Sequence, residues 1–305
     1  MKNNSLILAY VPNFKGNSLS VVELVAAKKL TDIPVGHGPV AVAVSNDRRY
    51  AFVANFLDAT VSVIKIYGNR VIKTINLNQG LNKAANPQGI AVTADYLYVA
   101  NYGSHNISVL DINRGKVLTT ISLGGGGVSI ELTKCKEFAY VALPLLNQVA
   151  VVDLNVNLVI KYIPVGSNPE ALDIDKVKSL SLVTNYGSNS LSIINTLLAE
   201  SSPHTIPVGA GPCGVVMDSR KKVAYVTNQL ANNVSVVNLF ARQKLWTTIP
   251  VGTGPRGLKL TSDGTLLAIA NNAGNSLTII DTVTNLVTAT VPVGQGPLYP
   301  AVIEI

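Results

Sequence analysis

Residues 224–228 read A-Y-V-T-N, and close versions of that stretch return along the whole chain. With Asn228 as landmark, the same surroundings occur at Asn13, Asn55, Asn101, Leu143, Asn185 and Asn271, at separations of 42, 46, 42, 42, 43 and 43 residues. Ten residues beyond each landmark, at Glu23, Lys65, Asp111, Asp153, Asn195, Asn238 and Asp281, an alternating β-branched run such as V-S-V-V-N closes. Self-similarity at this period identifies a repeat architecture and outranks any local assignment of secondary structure.

Working outward from Asn228, the sixth repeat resolves into four short apolar segments. They are 214–217, 223–227, 234–237 and 245–251, separated by a charged turn at 219–222, a polar loop at 228–233 and a turn at 240–244. Segments this short, rich in Val, Ile, Tyr and Thr and bounded by Gly, Asn, Pro or charge, predict antiparallel hairpins and no helix. A turn of the form V-G-x-G-P follows the fourth segment at 251–255 and recurs at 35–39, 208–212 and 293–297, with a looser copy at 165–169. Gly supplies positive φ and Pro fixes φ where the chain drops from an outer strand to the next inner one. Four strands repeated seven times is the arithmetic of an all-β, seven-bladed β-propeller of four-stranded antiparallel blades.

Y-V-T-N at 225–228, A-Y-V-P-N at 9–13 and L-Y-V-A-N at 97–101, with the I-P-V-G-x-G-P turns, resemble the YVTN β-propeller repeat family, and the resemblance covers essentially the full chain. It implies a propeller like those of archaeal and bacterial surface-layer proteins, hence adhesion or scaffolding. A broader kinship with lactonase-type propellers implies hydrolysis. Leu143 departs from the family pattern, and no lactonase-like catalytic set carries over. Fold alone does not decide between such functions.

The ends support ring closure. The chain enters at a second strand, 6–11, with no inner strand before it, and finishes on A-V-I-E-I at 301–305 after a last G-P. The C-terminal strand is therefore expected to complete blade one, which pairs both edges and leaves residues 1–305 as a single domain. Apolar residues make up 48% of the 305 and charged residues 13%, yet the apolar runs are strand-sized, well short of the roughly 18 that span a bilayer. The apolar excess is expected between repeats. Two cysteines in different repeats, Cys135 and Cys213, form no disulfide framework or metal spacing. Three scattered histidines make no zinc site. No cofactor motif and no targeting segment is visible; the latter points to the cytoplasm, whereas the family resemblance points to the cell surface.

Aligned on the landmark, the repeats show where structure alone does not dictate the residue. The connection from blade two to three, 78–86, is long, as befits either a binding loop or a tolerated insertion. Residues 124–127 are four glycines without Pro, a flexible linker or a close approach for phosphate or sugar. Blade four carries L-P-L-L at 143–146. His105 stands where other loops have Asn, in keeping with a left-handed turn position. Phe14, Phe56, Tyr102 and Tyr186 follow the landmark in four blades and suit stacking on a sugar or peptide, or packing on the next loop.

The residue after each turn Pro varies while its flanks repeat: Val40, Gln88, Glu170, Cys213, Arg256 and Leu298. Glu170, Cys213 and Arg256 come from consecutive blades, so a carboxylate, a thiol and a guanidinium should meet at the channel mouth. An acid beside an Arg can orient a polar ligand, and a thiol near Arg can have a lowered pKa. No base is predicted beside the thiol, which a nucleophile needs. The ligand-binding candidates are thus Gln88, Tyr102, His105, Glu170, Tyr186, Cys213 and Arg256, with no catalytic or metal residue assigned.

The opposite, bottom face gathers most of the net charge of +7, in turns containing Arg48, Arg49, Lys134, Lys136, Lys176, Lys178, Arg220, Lys221, Lys222 and Arg242. Anionic polymer or an anionic surface is a possible partner there. No nucleic-acid motif accompanies it. Two functions fit the sequence. The first is a non-enzymatic interaction or scaffold propeller binding a protein, peptide or glycan at its top face and channel mouth. The second is a small-molecule hydrolase or lyase, lactonase-like, acting at that mouth with Glu170 and Arg256.

Overall fold

The computed structural model describes residues 6–78, 85–175, 180–196, 202–239 and 244–305. Most of the long connection after blade two, together with Lys176, Lys178 and Arg242, lies outside them.

Seven four-stranded antiparallel sheets form a ring. In blade six the strands are Pro212–Asp218, Val223–Asn228, Asn233–Asn238 and Lys244–Pro250, from channel to perimeter. Ala301–Glu304 pairs with Ile7–Asn13, with Ala301 opposite Tyr10 and Glu304 opposite Ile7, and so closes the ring. Among the described residues the expectation of no helix meets two single 3-10 turns, Pro144–Leu146 and Tyr186–Ser188, in second-to-third-strand loops.

Both faces of every blade are apolar because both are covered. One hydrophobic cluster fills each blade-to-blade interface, and at the closure Ala9, Val11, Val22 and Leu24 meet Ala268, Ala270, Leu277 and Ile279. Burying a Leu, Ile or Val side chain contributes about 1.5–3 kcal/mol, so the interfaces between repeats hold the molecule together.

The landmark Asn is a clamp within its blade. Asn228 Nδ2 donates to Asn233 Oδ1 at 2.7 Å and to Ser235 Oγ at 2.8 Å. Equivalent pairs of bonds tie Asn13 to Ser18 and Ser20, and Asn271 to Ser276 and Thr278. The first Gly of the V-G-x-G-P turn lies against this amide: a Cβ on Gly209 would fall 2.5 Å from Asn228 Cγ. Blade four abandons the device as a set, with Leu143, Gln148 and Ala150 in place of the Asn and its two partners, and Leu143 is fully buried.

A second Asn explains the other glycine. Asn17, Asn147, Asn189, Asn232 and Asn275 adopt left-handed backbone, φ 49° to 54°. Their side chains accept the backbone N–H of the turn that follows, as Asn232 Oδ1 does from Gly254 at 2.8 Å. Ala59 and His105 occupy this position before the two connections that lack the V-G-x-G-P turn. His105 therefore sits at φ 54°, exposed, where no turn needs an Asn cap.

Candidate functional site

Inner strands start at the top of the channel with a β-bulge. The register slips between Pro39 and Ala41, Pro87 and Gly89, Pro169 and Leu172, Pro212 and Gly214, and Pro255 and Leu258. The residue after each Pro is the extra one, outside the ladder, and a bulge re-aims its side chain. This is why Gln88, Glu170, Cys213 and Arg256 vary while their neighbours repeat.

Glu170, Cys213 and Arg256 interact as expected from their blades, but not with the expected chemistry. Cys213 is wholly buried. Its Sγ donates to Pro255 O of the next blade at 3.2 Å and lies 3.7 Å from Thr227 Oγ1. Burial pushes the thiol up to about 11, against the opposing pull of Arg256 and Thr227. The expectation of an activated thiol is corrected: desolvation of the thiolate outweighs the cation. Native protein should thus titrate one thiol with Ellman's reagent near neutral pH, the exposed Cys135, and two after denaturation. Two fast-reacting thiols in native protein would contradict this burial.

Glu170 and Arg256 are half-buried. Burial raises the Glu170 carboxyl above the usual range, and the Arg256 cation pulls it back in part. Arg256 stays protonated, its guanidinium set among Tyr299, Cys213 and Glu170. Its Nε is buried without a hydrogen-bond acceptor. An acid and a guanidinium so placed can handle a proton and stabilise a negative charge.

Tyr299 is the member that sequence reasoning missed. Six blades place a small residue two positions after the turn Pro or its equivalent: Ala41, Gly89, Ser129, Ala171, Gly214 and Gly257. Blade one places Tyr299 there. Its backbone N–H donates to Val40 O at 3.1 Å, and its hydroxyl reaches two blades back to donate to Cys213 O at 3.2 Å. A Cβ on Gly257, beneath that path, would come within 2.5 Å of Tyr299 Cα. Burial raises the Tyr299 hydroxyl far above the usual phenol range, so it stays a neutral donor. The seventh member of an aligned column of small residues was the signal.

Below this layer the channel holds a cavity of about 110 Å³, lined by Gln88, Ser129, Ala171, Gly214, Leu258 and Tyr299 among others. A second cavity of about 280 Å³ opens toward the bottom face. Glu131 and Lys259 line both, and Asp173 lines the upper one. These three share one register position with Ala43, Ala91, Val216 and Ala301, another aligned column that sequence reasoning passed over.

The remaining candidates sit in or beside the top loops. Tyr186 packs over Gly211 and Phe14 over Gly38, each ring about 3.1 Å from where a Cβ would stand. Tyr102 covers Gly126, whose Cβ would fall 2.5 Å from Tyr102 O. With Gly125 against Leu146 and Gly127 against Val141, the four glycines are packed tightly, so a flexible or phosphate-cradling run is corrected to a close approach of loops. Tyr186 lies beside the turns that lead into Glu170 and Cys213, its N–H donating to Asn168 O at 2.9 Å; Gln88 lines the cavity below. Among the described residues no three His, Cys, Asp or Glu side chains group as a metal site.

No protein-family model and no curated protein sequence matches the chain. Solved structures do. A Bacteroides fragilis protein named as a "putative 6-phosphogluconolactonase" is 17% identical with a TM-score of 0.83, covering 99% of each chain. The Pseudomonas aeruginosa periplasmic gluconolactonase is 16% identical with a TM-score of 0.79, covering 98% of this chain and 99% of its own. Hydrazine synthase of Kuenenia stuttgartiensis is 20% identical with a TM-score of 0.76, over 88% of this chain and 96% of its own. The expectation of a non-enzymatic scaffold binding protein, peptide or glycan is corrected here, because these neighbours are named as enzymes and two as lactonases. At such identities the likeness establishes the fold: this chain is a seven-bladed β-propeller whose solved structural neighbours include lactonase-type propellers.

Proposed function

We propose that this protein hydrolyses a small-molecule lactone at the top mouth of its channel. The observation that carries the proposal is the pair formed by Glu170, its carboxyl held up by burial, and Arg256, whose buried Nε lacks an acceptor. The names of the structural neighbours support the same class of chemistry. The kinship with YVTN-repeat propellers rests on the sequence motifs at 9–13, 97–101 and 225–228.

In the proposed reaction water attacks the lactone carbonyl carbon while the Glu170 carboxylate takes one of its protons. A carboxyl lifted toward the working pH is better matched to that transfer than an ordinary one. The carbonyl oxygen gains negative charge, which the Arg256 guanidinium stabilises as a pre-oriented donor. When the tetrahedral carbon re-forms its carbonyl, the ring C–O bond breaks and the leaving alkoxide recovers the proton from Glu170. The product is the open hydroxy acid. Tyr299, fixed to Cys213 O, acts as the floor that holds substrate against these two groups.

Acid release in a pH-stat tests the proposal, with a panel of sugar δ- and γ-lactones including gluconolactone. Saturable hydrolysis above the uncatalysed rate for at least one lactone is expected. Background rates across the panel would remove it.

A further inference from the structure

Just before the landmark, the second strand of each blade carries a residue that faces the start of the inner strand. In blades one to seven it reads Pro12, Ala54, Ala100, Ala142, Thr184, Thr227 and Ala270. Hydroxyls stand in this column only in blades five and six, and both are fully buried. The inner strands are irregular in the matching places. Between Pro169 and Leu172 in blade five, and between Pro255 and Leu258 in blade seven, two residues leave the ladder, whereas one does in blades two, three and six. Those two wider gaps hold Glu170 and Arg256.

Each gap frees backbone groups from the ladder, and a buried backbone group needs another partner. In blade five Thr184 closes the gap of its own blade. Ala171, next to Glu170, donates its N–H to Thr184 Oγ1 at 3.0 Å, and that hydroxyl donates to Ala171 O at 3.3 Å. In blade seven the equivalent residue, Ala270, has no hydroxyl, and the hold comes from blade six. Thr227 Oγ1 donates to Arg256 O, with Gly214 O farther off at 3.4 Å. Cys213 Sγ donates to Pro255 O at 3.2 Å. Two consecutive carbonyls, the second that of Arg256 itself, are thus held from one neighbouring blade. Gly214 makes room for this, since a Cβ there would collide with Arg256 O.

We propose that Thr184 and Thr227 are positioning residues, fixing the backbone from which the Glu170 carboxyl and the Arg256 guanidinium project. A bulge re-aims its side chain, so what fixes the bulge fixes the aim. Hydroxyls appear where the two functional groups leave the ladder and give way to Ala or Pro in the other five blades. The buried Cys213 thiol serves the same hold on Arg256. The consequence for catalysis rests on the lactonase reading of the mouth; the hold itself does not.

The test compares Thr227→Val, which keeps the shape and removes the hydroxyl, with Thr227→Ser, which keeps the hydroxyl. Thr184→Val gives a second, independent reading. Ser62→Ala, which removes a hydroxyl of the Asn55 clamp in blade two, controls for loss of a buried hydroxyl as such. On a lactone that the wild type turns over, each Val variant should lower kcat about 10- to 100-fold with KM changed by less than about threefold, the pattern of misplaced reacting groups. Thr227→Ser and Ser62→Ala should keep wild-type kcat and KM. Proton–nitrogen NMR of the Arg256 Nε–H, identified by its absence in Arg256→Met, reads the hold without substrate. One sharp signal is expected in the wild type and in Thr227→Ser, and a broadened or split one in Thr227→Val. A wild-type kcat in either Val variant, an equal loss in Ser62→Ala, or an Arg256 signal unchanged in Thr227→Val would each overturn the proposal. A wild type inactive on every lactone would remove the reading of the site instead, and the Arg256 signal would still decide whether Thr227 holds it.

Discussion

Deleting Leu298–Ile305 is expected to lower the melting temperature by about 10 °C or more, followed by far-ultraviolet circular dichroism. The segment supplies the inner strand of blade one, four residues paired with Ile7–Tyr10. Leu298 and Ile303 are buried at 6% and 2% exposure. Two such side chains contribute roughly 1.5–3 kcal/mol each. Every lost ladder hydrogen bond removes about 1 kcal/mol more. Several kcal/mol is a large part of the 5–15 kcal/mol that stabilises an ordinary domain. The deletion also strips the partner from the Ile7–Asn13 edge and leaves it open to association. An unchanged midpoint in a monomeric product would mean that the ring does not depend on this closure.

Closure was legible in the sequence because a repeat counts its own strands. The landmark spacing placed each second strand, and the unmatched inner strand of blade one could come only from 301–305. Backbone logic was legible where it recurs: Asn228 and its copies mark the strand end and loop entry in six blades. What could not be read was why the exceptions occur. Leu143 looked like a functional departure until the loss of Ser at position 150 showed a polar clamp exchanged for an apolar one. His105 and the four glycines likewise answer to missing caps and close loop contacts, which depend on distances between blades.

The site was legible only in part. Glu170, Cys213 and Arg256 stood out because a bulged residue is free to vary. Burial, which the sequence does not disclose, then decided their chemistry: it raised the Cys213 thiol instead of letting Arg256 lower it. Tyr299 was hidden in plain view, because its column of small residues lies one position beyond the variable residue after Pro.

Glu170→Gln carries the other large expected effect. Gln keeps the shape and removes the proton acceptor, so turnover of any lactone substrate should fall about 10²- to 10⁴-fold. Arg256→Met should cost about 10²- to 10³-fold through loss of oxyanion stabilisation. The two variants should differ in stability. Folded Glu170 has a raised pKa, so the folded state favours its neutral form. Its contribution to stability is complete below the unfolded carboxyl pKa and is lost as pH rises through the folded value. At neutral pH the ionised group is therefore a burden on the fold. Gln imitates the neutral acid, so Glu170→Gln should melt higher than the wild type at neutral pH, with the gain shrinking as pH falls toward 4. A catalytic carboxylate retained at a cost to stability is the pattern of a working site.

That double signature is the most direct measurement available. Lactone hydrolysis by pH-stat and thermal melting at neutral pH would be recorded on the same preparations of wild type and Glu170→Gln. The proposed site predicts hydrolysis in the wild type, loss of at least about 100-fold in the variant, and a melting temperature no lower than that of the wild type. Hydrolysis that survives in Glu170→Gln at wild-type rates would contradict the assignment of the channel mouth as the reacting centre.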